Sequence, residues 1–301
     1  MSPARADVLI VAHNNQDVHQ ELIDSTFAGL PKSLSSRVEV KRASDFTRSV
    51  LNGSLKTLPE LIVVIGTNAT LEVTSLALET PVISVAIPKS SYEEIKIRYQ
   101  QDTTIKRRGD FSAIFLDQPV KRKLNLVKAL LPEAKRVGVV LGPGTTKLEN
   151  EIRSSSKGYD FELEVGRVQS EDNLIDTLDT VLDKSDVMLG FVDPVVFSRK
   201  SARNVLLTAY RWRVPLIGIS PAYVKNGALA SVHSTPEQIG KQLSEVLVQY
   251  LTEDKKEVPQ ADYTKYFSVS VNYQVAEALG IFAQPEDKLT QTLQRMEGSG
   301  K

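Results

Sequence analysis

The same alternation of strand and helix is written into this chain twice, and a chain built that way has few folds open to it. The first pass reads Asp7-Val8-Leu9-Ile10-Val11-Ala12, a helical stretch, Val38-Glu39-Val40, then Leu61-Ile62-Val63-Val64-Ile65-Gly66 and Pro81-Val82-Ile83-Ser84-Val85. The second reads Val137-Gly138-Val139-Val140-Leu141-Gly142, a helical stretch, Phe161-Glu162-Leu163-Glu164-Val165, then Val187-Met188-Leu189-Gly190 and Pro215-Leu216-Ile217-Gly218-Ile219. Short apolar, β-branched runs separated by helical periods predict parallel strands covered by helices on both faces. The fold class that follows is α/β, with two similar doubly wound parallel-sheet lobes, a hinge and a cleft between them.

Length agrees, since 301 residues are long for one α/β core and comfortable for two. Lys+Arg and Asp+Glu both number 37, so no net field draws the chain to nucleic acid or an anionic membrane. The absence of cysteine excludes disulfides, thiolate zinc sites and thiol nucleophiles. Ala4-Arg5-Ala6 has the small-x-small form of a signal-peptidase site, from which we expect an exported, periplasmic protein with its leader removed. No run approaches the roughly 18 apolar residues of a membrane span.

Asp117-Gln118-Pro119 breaks a strand at Phe111 to Leu116 and precedes a helical stretch from Val120 to Leu131, which places a first crossing between lobes. His233-Ser234-Thr235-Pro236-Glu237 has the form of a second crossing that caps a helix from Glu237 to Leu251. The expected lobes are 7–117 with the helix at 235–252, and 118–232 with 265–297. A chain that crosses more than once makes a hinge that permits closure around a ligand. Lys106-Arg107-Arg108 and Lys121-Arg122-Lys123 read as solvated faces, and Trp212 as a packing residue.

Four stretches together resemble the ABC-transporter substrate-binding family that includes tryptophan- and tyrosine-binding receptors. They are Ile65-Gly66-Thr67-Asn68-Ala69-Thr70 with Thr80-Pro81-Val82-Ile83, Leu131 to Val139, Asp193 to Ser198 with Arg213-Val214-Pro215 and Gly227 to Ser231, and Tyr266 to Gly280, which carries an Asn-x-x-x-Ala-x-x-Leu-Gly pattern. The resemblance implies a type I periplasmic-binding-protein fold, a small-molecule ligand, delivery to an ABC-type membrane permease, and a monomer. It breaks down between Ile87 and Asp110, where Pro88-Lys89-Ser90-Ser91-Tyr92 and a charged segment replace the family's usual Asp-Pro pair.

In open parallel sheets the ligand sits outside the carboxyl ends of the strands. That places His13 and Asn14, then Gly66, Thr67 and Asn68, then Ser90 and Tyr92 at the ligand edge of the first lobe. Thr67 and Asn68 suit an anion at a helix start, or else cap that helix. In the second lobe the corresponding residues are Thr145 and Thr146, Phe191 and Asp193, and Tyr223. Asp193 either accepts from a ligand ammonium or caps a helix beginning at Pro194; Phe191 and Tyr223 would offer aromatic walls.

No catalytic constellation accompanies them. His13, His19 and His233 belong to no His-Glu-x-x-His array, Gly218-Ile219-Ser220-Pro221-Ala222 lacks the second glycine of a nucleophile elbow, and Gly142-Pro143-Gly144-Thr145-Thr146-Lys147 has neither Walker nor dinucleotide spacing. The expectation is a receptor for a small polar ligand such as an amino acid, with no cofactor, no metal and no enzymatic activity. A periplasmic sensor signalling to a membrane sensor protein would have the same sequence features.

Overall fold

The computed structural model describes residues 6–13, 17–101 and 109–298. Its strands, in chain order, are β1 (Val8–Ala12), β2 (Val38–Arg42), β3 (Leu61–Ile65), β4 (Val82–Ile87), β5 (Phe111–Phe115), β6 (Arg136–Leu141), β7 (Glu162–Arg167), β8 (Val187–Leu189), β9 (Leu216–Ile217), β10 (Ala230–His233), β11 (Asp262–Tyr263) and β12 (Ser268–Val271). The chain divides into two compact units: one runs up to Leu116 and includes Ser234–Tyr266, and the other holds Asp117–His233 and continues from Phe267.

The two sheets repeat one another. The first has the order β11-β5-β4-β3-β1-β2, the second β12-β10-β9-β8-β6-β7. Pairing is parallel throughout, save that β12 runs antiparallel to β10. In each order the direction of winding reverses at one place, between β1 and β3 in the first unit and between β6 and β8 in the second. Such a switch point separates the loops on the carboxyl side and opens a crevice there.

Burial on both faces explains why the strands are continuous apolar runs. Along β1 and β3, Val8, Ile10, Leu61, Val63 and Ile65 pack on one side with Leu22, Ile239, Leu243 and Leu247. The alternate residues Leu9, Val11, Ile62 and Val64 pack on the other side with Phe46, Ala69 and Val73. The second sheet divides likewise, Val137, Val139 and Leu189 toward one core and Val140 and Met188 toward the other. The helix Pro236–Thr252 opens on a capping box, the Thr235 hydroxyl accepting from the Gln238 N–H and the Gln238 side chain accepting from the Thr235 N–H.

Two elements differ from the expectation, and a third, the helix-like segment after Ile87, differs only in what it buries. Where the sequence suggests a helix from Pro194, the chain makes a turn, closed by the Phe197 N–H donating to the Asp193 carbonyl at 3.2 Å, and the next helix is Ala202–Trp212. The segment after Ile87 forms the helix Lys89–Gln101, which buries Tyr92, Ile95 and Tyr99. Arg122 and Lys123, expected in solvent, are buried, while Lys121 is exposed. The run Lys106-Arg107-Arg108 lies outside the described residues.

Candidate functional site

The switch point of the first unit holds a cavity of about 390 Å³. His13 follows β1, Gly66 follows β3, and Thr67 and Asn68 open the helix Thr67–Ser75; all four line it, together with His19, Ala86 and Pro88. Asn14 lies outside the described residues. Gly66 turns the chain from strand into helix at φ 84°, a conformation that disfavours any residue with a Cβ, and such a Cβ would lie 3.4 Å from the His19 ring. Among the described residues no side chain caps this helix, so the N–H groups of its first turn have no side-chain acceptor where Thr67 and Asn68 line the cavity. Thr70, one turn in, is tied down by its hydroxyl, which donates to the Gly66 carbonyl at 2.8 Å and meets the Ser84 hydroxyl at 2.6 Å.

His13 is half-exposed, with Nε2 3.3 Å from the Glu72 carboxylate. His19, on the helix Asp17–Gly29, is the residue that sequence reasoning passed over. Burial pushes its imidazole below the ordinary histidine value, a backbone contact with His13 works the other way, and Nδ1 is buried without a hydrogen-bond partner among the described residues. Two further expectations fail in this unit. Tyr92 is a core residue, its ring 4.8 Å from Phe111 and 5.4 Å from Phe115 and its hydroxyl donating to the Phe111 carbonyl at 2.9 Å. Ser90, half-buried in the first turn of the same helix, does not line the cavity.

The equivalent place in the second unit is filled by the chain itself. Asp193 is 2 % exposed. Its Oδ1 accepts from the N–H groups of Val195 at 2.8 Å and Val196 at 3.0 Å, and its Oδ2 accepts from the Gly144 N–H at 3.0 Å and the Thr145 hydroxyl at 2.9 Å. Four donors saturate the carboxylate and leave no lone pair suited to a ligand ammonium. The carboxylate therefore joins the loop after β6 to the turn after β8. Gly142 is required by the same arrangement, since a Cβ there would meet the Asp193 carboxylate at 2.1 Å.

Thr145 is buried and Thr146 donates to the Gly142 carbonyl at 2.9 Å, so neither hydroxyl is a ready donor for a ligand. Phe191 is not an exposed wall; it belongs to the apolar core. Tyr223 packs its ring 5.7 Å from Phe197, with its phenol pushed up to about 12 by burial, on the side of a groove of about 960 Å³ that Arg199, Leu206 and Tyr210 also line. Phe191, Asp193 and Tyr223 thus do separate structural work. Among the described residues no group of three or more His, Asp or Glu side chains is arranged to hold a metal ion.

The helix Val120–Leu130 buries two polar side chains, Arg122 and Lys123, that the sequence reading placed in solvent. Arg122 makes a two-pronged pair with Glu297 at 2.6 and 2.9 Å, donates to the Gln118 side chain at 2.6 Å and stacks 4.0 Å from the Phe267 ring. Lys123 lies beside it, with Nζ 5.4 Å from the centre of the Phe191 ring.

Comparison with known proteins gives the geometry a context. Residues 49–293 match the family described as ABC transporter substrate binding protein. No curated protein is significantly similar in sequence. Among solved structures, the chain is similar to an ABC domain from Streptococcus pneumoniae in complex with L-Trp, at 20 % identity and TM-score 0.62, over 95 % of this chain and 98 % of that one. It is similar to a conserved domain protein from Vibrio cholerae at 20 % identity and TM-score 0.61, over 94 % and 97 %. A substrate binding protein with adhesive properties from Clostridium difficile, in its ligand-free, open form, gives 17 % identity and TM-score 0.69, over 93 % and 96 %. At such identities the likeness is one of fold.

Proposed function

Because the chain belongs to the ABC transporter substrate-binding protein family, a class of non-catalytic binding proteins, we propose that it is a receptor that captures a small polar ligand outside the cytoplasmic membrane and presents it to an ABC-type permease. The observation that carries this reading is the cavity at the first switch point, where the uncapped start of the helix Thr67–Ser75 and the side chains of Thr67, Asn68 and His13 face one pocket. Unpaired N–H groups at a helix start favour a negative or strongly accepting group. A pocket of about 390 Å³ accommodates a molecule of amino-acid or monosaccharide size.

An amino acid is the ligand class we favour, and the likeness to the protein solved with L-Trp supports it. The test is a thermal-shift screen of the twenty L-amino acids and a set of neutral sugars, followed by calorimetry, since a ligand that binds only the folded chain raises its melting temperature. A hit on the wild type should weaken tenfold or more in Asn68→Ala, with the ligand-free melting temperature unchanged because Asn68 caps nothing. Equal affinity in the variant would remove this pocket from the reading.

A further inference from the structure

We propose that the second unit carries an anion site of its own, a pocket between three helices that takes a phosphate or phosphate-monoester group. The site goes beyond the receptor reading and does not depend on it.

The pocket has a volume of about 760 Å³ and lies wholly within the second unit. Lys121 and Asn125 reach it from one face of the helix Val120–Leu130, Ser155 and Tyr159 from the end of the helix Glu149–Lys157 and just beyond, and Thr292 and Arg295 from the helix Glu286–Gly298. Among the described residues its charged lining groups are Lys121 and Arg295, and no carboxylate lines it. None of its lining residues belongs to the turn that Asp193 closes after β8, so the pocket is distinct from the second switch point.

Asn125 marks the pocket as a site. It is 1 % exposed, its Oδ1 accepts from the Tyr159 hydroxyl, and its Nδ2 is buried with no hydrogen-bond partner among the described residues. Burial, and after it the field of Glu297, holds the Tyr159 phenol above its ordinary value, so that hydroxyl stays protonated and remains the donor of the pair. The amide N–H groups are left over. An unmade hydrogen bond from a buried amide is a standing cost that folded chains rarely carry.

The donors around it are uncommitted as well. Among the described residues the exposed Lys121 ammonium has no ion-pair partner and the Ser155 hydroxyl makes no hydrogen bond. Arg295 donates to the Thr292 hydroxyl at 3.1 Å, which ties its guanidinium to the same helix face. Glu297, the acid whose field reaches Tyr159, is engaged by Arg122 through both oxygens. Two cations, an amide donor and a hydroxyl, with no acid among them, select an anion with several acceptor oxygens. A phosphate group brings three such oxygens and about two negative charges at neutral pH, and the remaining volume accommodates the organic part of a monoester.

The test is calorimetry on the full chain with inorganic phosphate and glycerol 3-phosphate, and with succinate as a dianion of another shape, each against sodium chloride at matched ionic strength. A phosphate should bind and raise the melting temperature above that in chloride, and succinate should bind tenfold or more weakly. Lys121→Gln, at an exposed position, and Asn125→Leu should each weaken the phosphate tenfold or more, and Ser155→Ala several-fold. If the leucine variant does not fold, the other two decide. Flotation with phosphatidylcholine vesicles, with and without phosphatidic acid, separates the two sources of the group. Retention by the acidic vesicles that Lys121→Gln abolishes assigns the site to a lipid headgroup; binding of the soluble phosphates alone assigns it to a free phosphate compound. No binding of phosphate in either form above its control, succinate as tight as phosphate, or phosphate affinity intact in any folded variant overturns the proposal. An anion held in the first unit's cavity instead would be weakened by Asn68→Ala and untouched by Lys121→Gln, which overturns the proposal and leaves the receptor reading standing.

Discussion

The two switch points are the same place in the same topology, and they are treated in opposite ways. In the first unit the loops after β1 and β3 leave a cavity and a helix start that no side chain closes. In the second the loops after β6 and β8 are bound together by a buried carboxylate that satisfies four donors. Asp193 behaves as an anion the chain carries with it. The difference teaches that donors at the carboxyl end of a parallel sheet demand a partner, which the chain either supplies or leaves to a ligand. A duplicated architecture can therefore treat equivalent places differently, one unit keeping an open cavity and the other using its equivalent to fix two loops.

The sharpest way to break this comparison is to remove the internal anion. Asp193→Ala should cost about 3–5 kcal/mol of stability, since it leaves the N–H groups of Gly144, Val195 and Val196 and the Thr145 hydroxyl without their acceptor in a buried setting. Asp193→Asn keeps the shape but replaces one acceptor oxygen by a donor, and should fall between the two. Chemical denaturation read by circular dichroism measures both. An alanine variant as stable as the wild type would mean that water replaces the carboxylate readily, and that the second switch point is as open as the first.

A smaller effect compares the ties that fasten distant segments to each unit. In the second, Arg122 is buried and its partner Glu297 comes from the helix Glu286–Gly298. Glu297→Ala should cost about 2 kcal/mol, less than a fully buried pair because Glu297 is partly exposed and Gln118 and Phe267 still hold the guanidinium. In the first unit, Arg37 pairs with Asp7 and donates to the Leu251 carbonyl at 3.1 Å, its guanidinium part-buried where that of Arg122 is buried. Asp7→Ala should cost under about 1 kcal/mol. Equal losses from the two substitutions would show that burial does not separate the ties.

The strands could be read because burial on both faces writes them as unbroken apolar runs, and even the edge strand β2 begins with a legible Val38-Glu39-Val40. Two elements escaped for want of such a signal. The strand β11 is two residues long, and the helix Glu286–Gly298 buries only Leu289 and Leu293, too sparse a stripe to stand out. The candidate pocket's lining was legible where it depends on backbone, as at Gly66-Thr67-Asn68, where a strand must turn into a helix. It was illegible where two remote segments decide a side chain's fate. Asp193 is saturated by Gly144 and Thr145, some fifty residues earlier, and the burial of Arg122 depends on Glu297 and Phe267, so the run Lys121-Arg122-Lys123 reads as solvent-facing although two of its three residues are not. His19 carried no motif, and only its approach to Gly66 marks it.

The smallest effect expected is one of pH, and it asks which unit is the more sensitive to acid. Each has a histidine held below its ordinary value chiefly by burial: His19 beside the first cavity, and His233 at the end of β10, where the nearby Glu286 carboxylate and a contact with Ser231 partly oppose the shift. A histidine whose pKa is lower in the folded chain binds its proton more readily when unfolded, so the folded state loses stability as pH falls through about 6.5 and toward the folded values. The depressed carboxylates Glu149, Asp186, Glu237 and Glu245 act in the same direction but only below the carboxylate range, so melting curves between pH 7 and 5 isolate the histidines. The melting temperature should fall across that window, and His19→Gln and His233→Gln should each flatten part of the fall. A melting temperature that holds or rises on acidification, or a slope unmoved by either substitution, would show that neither burial is strong enough to be felt.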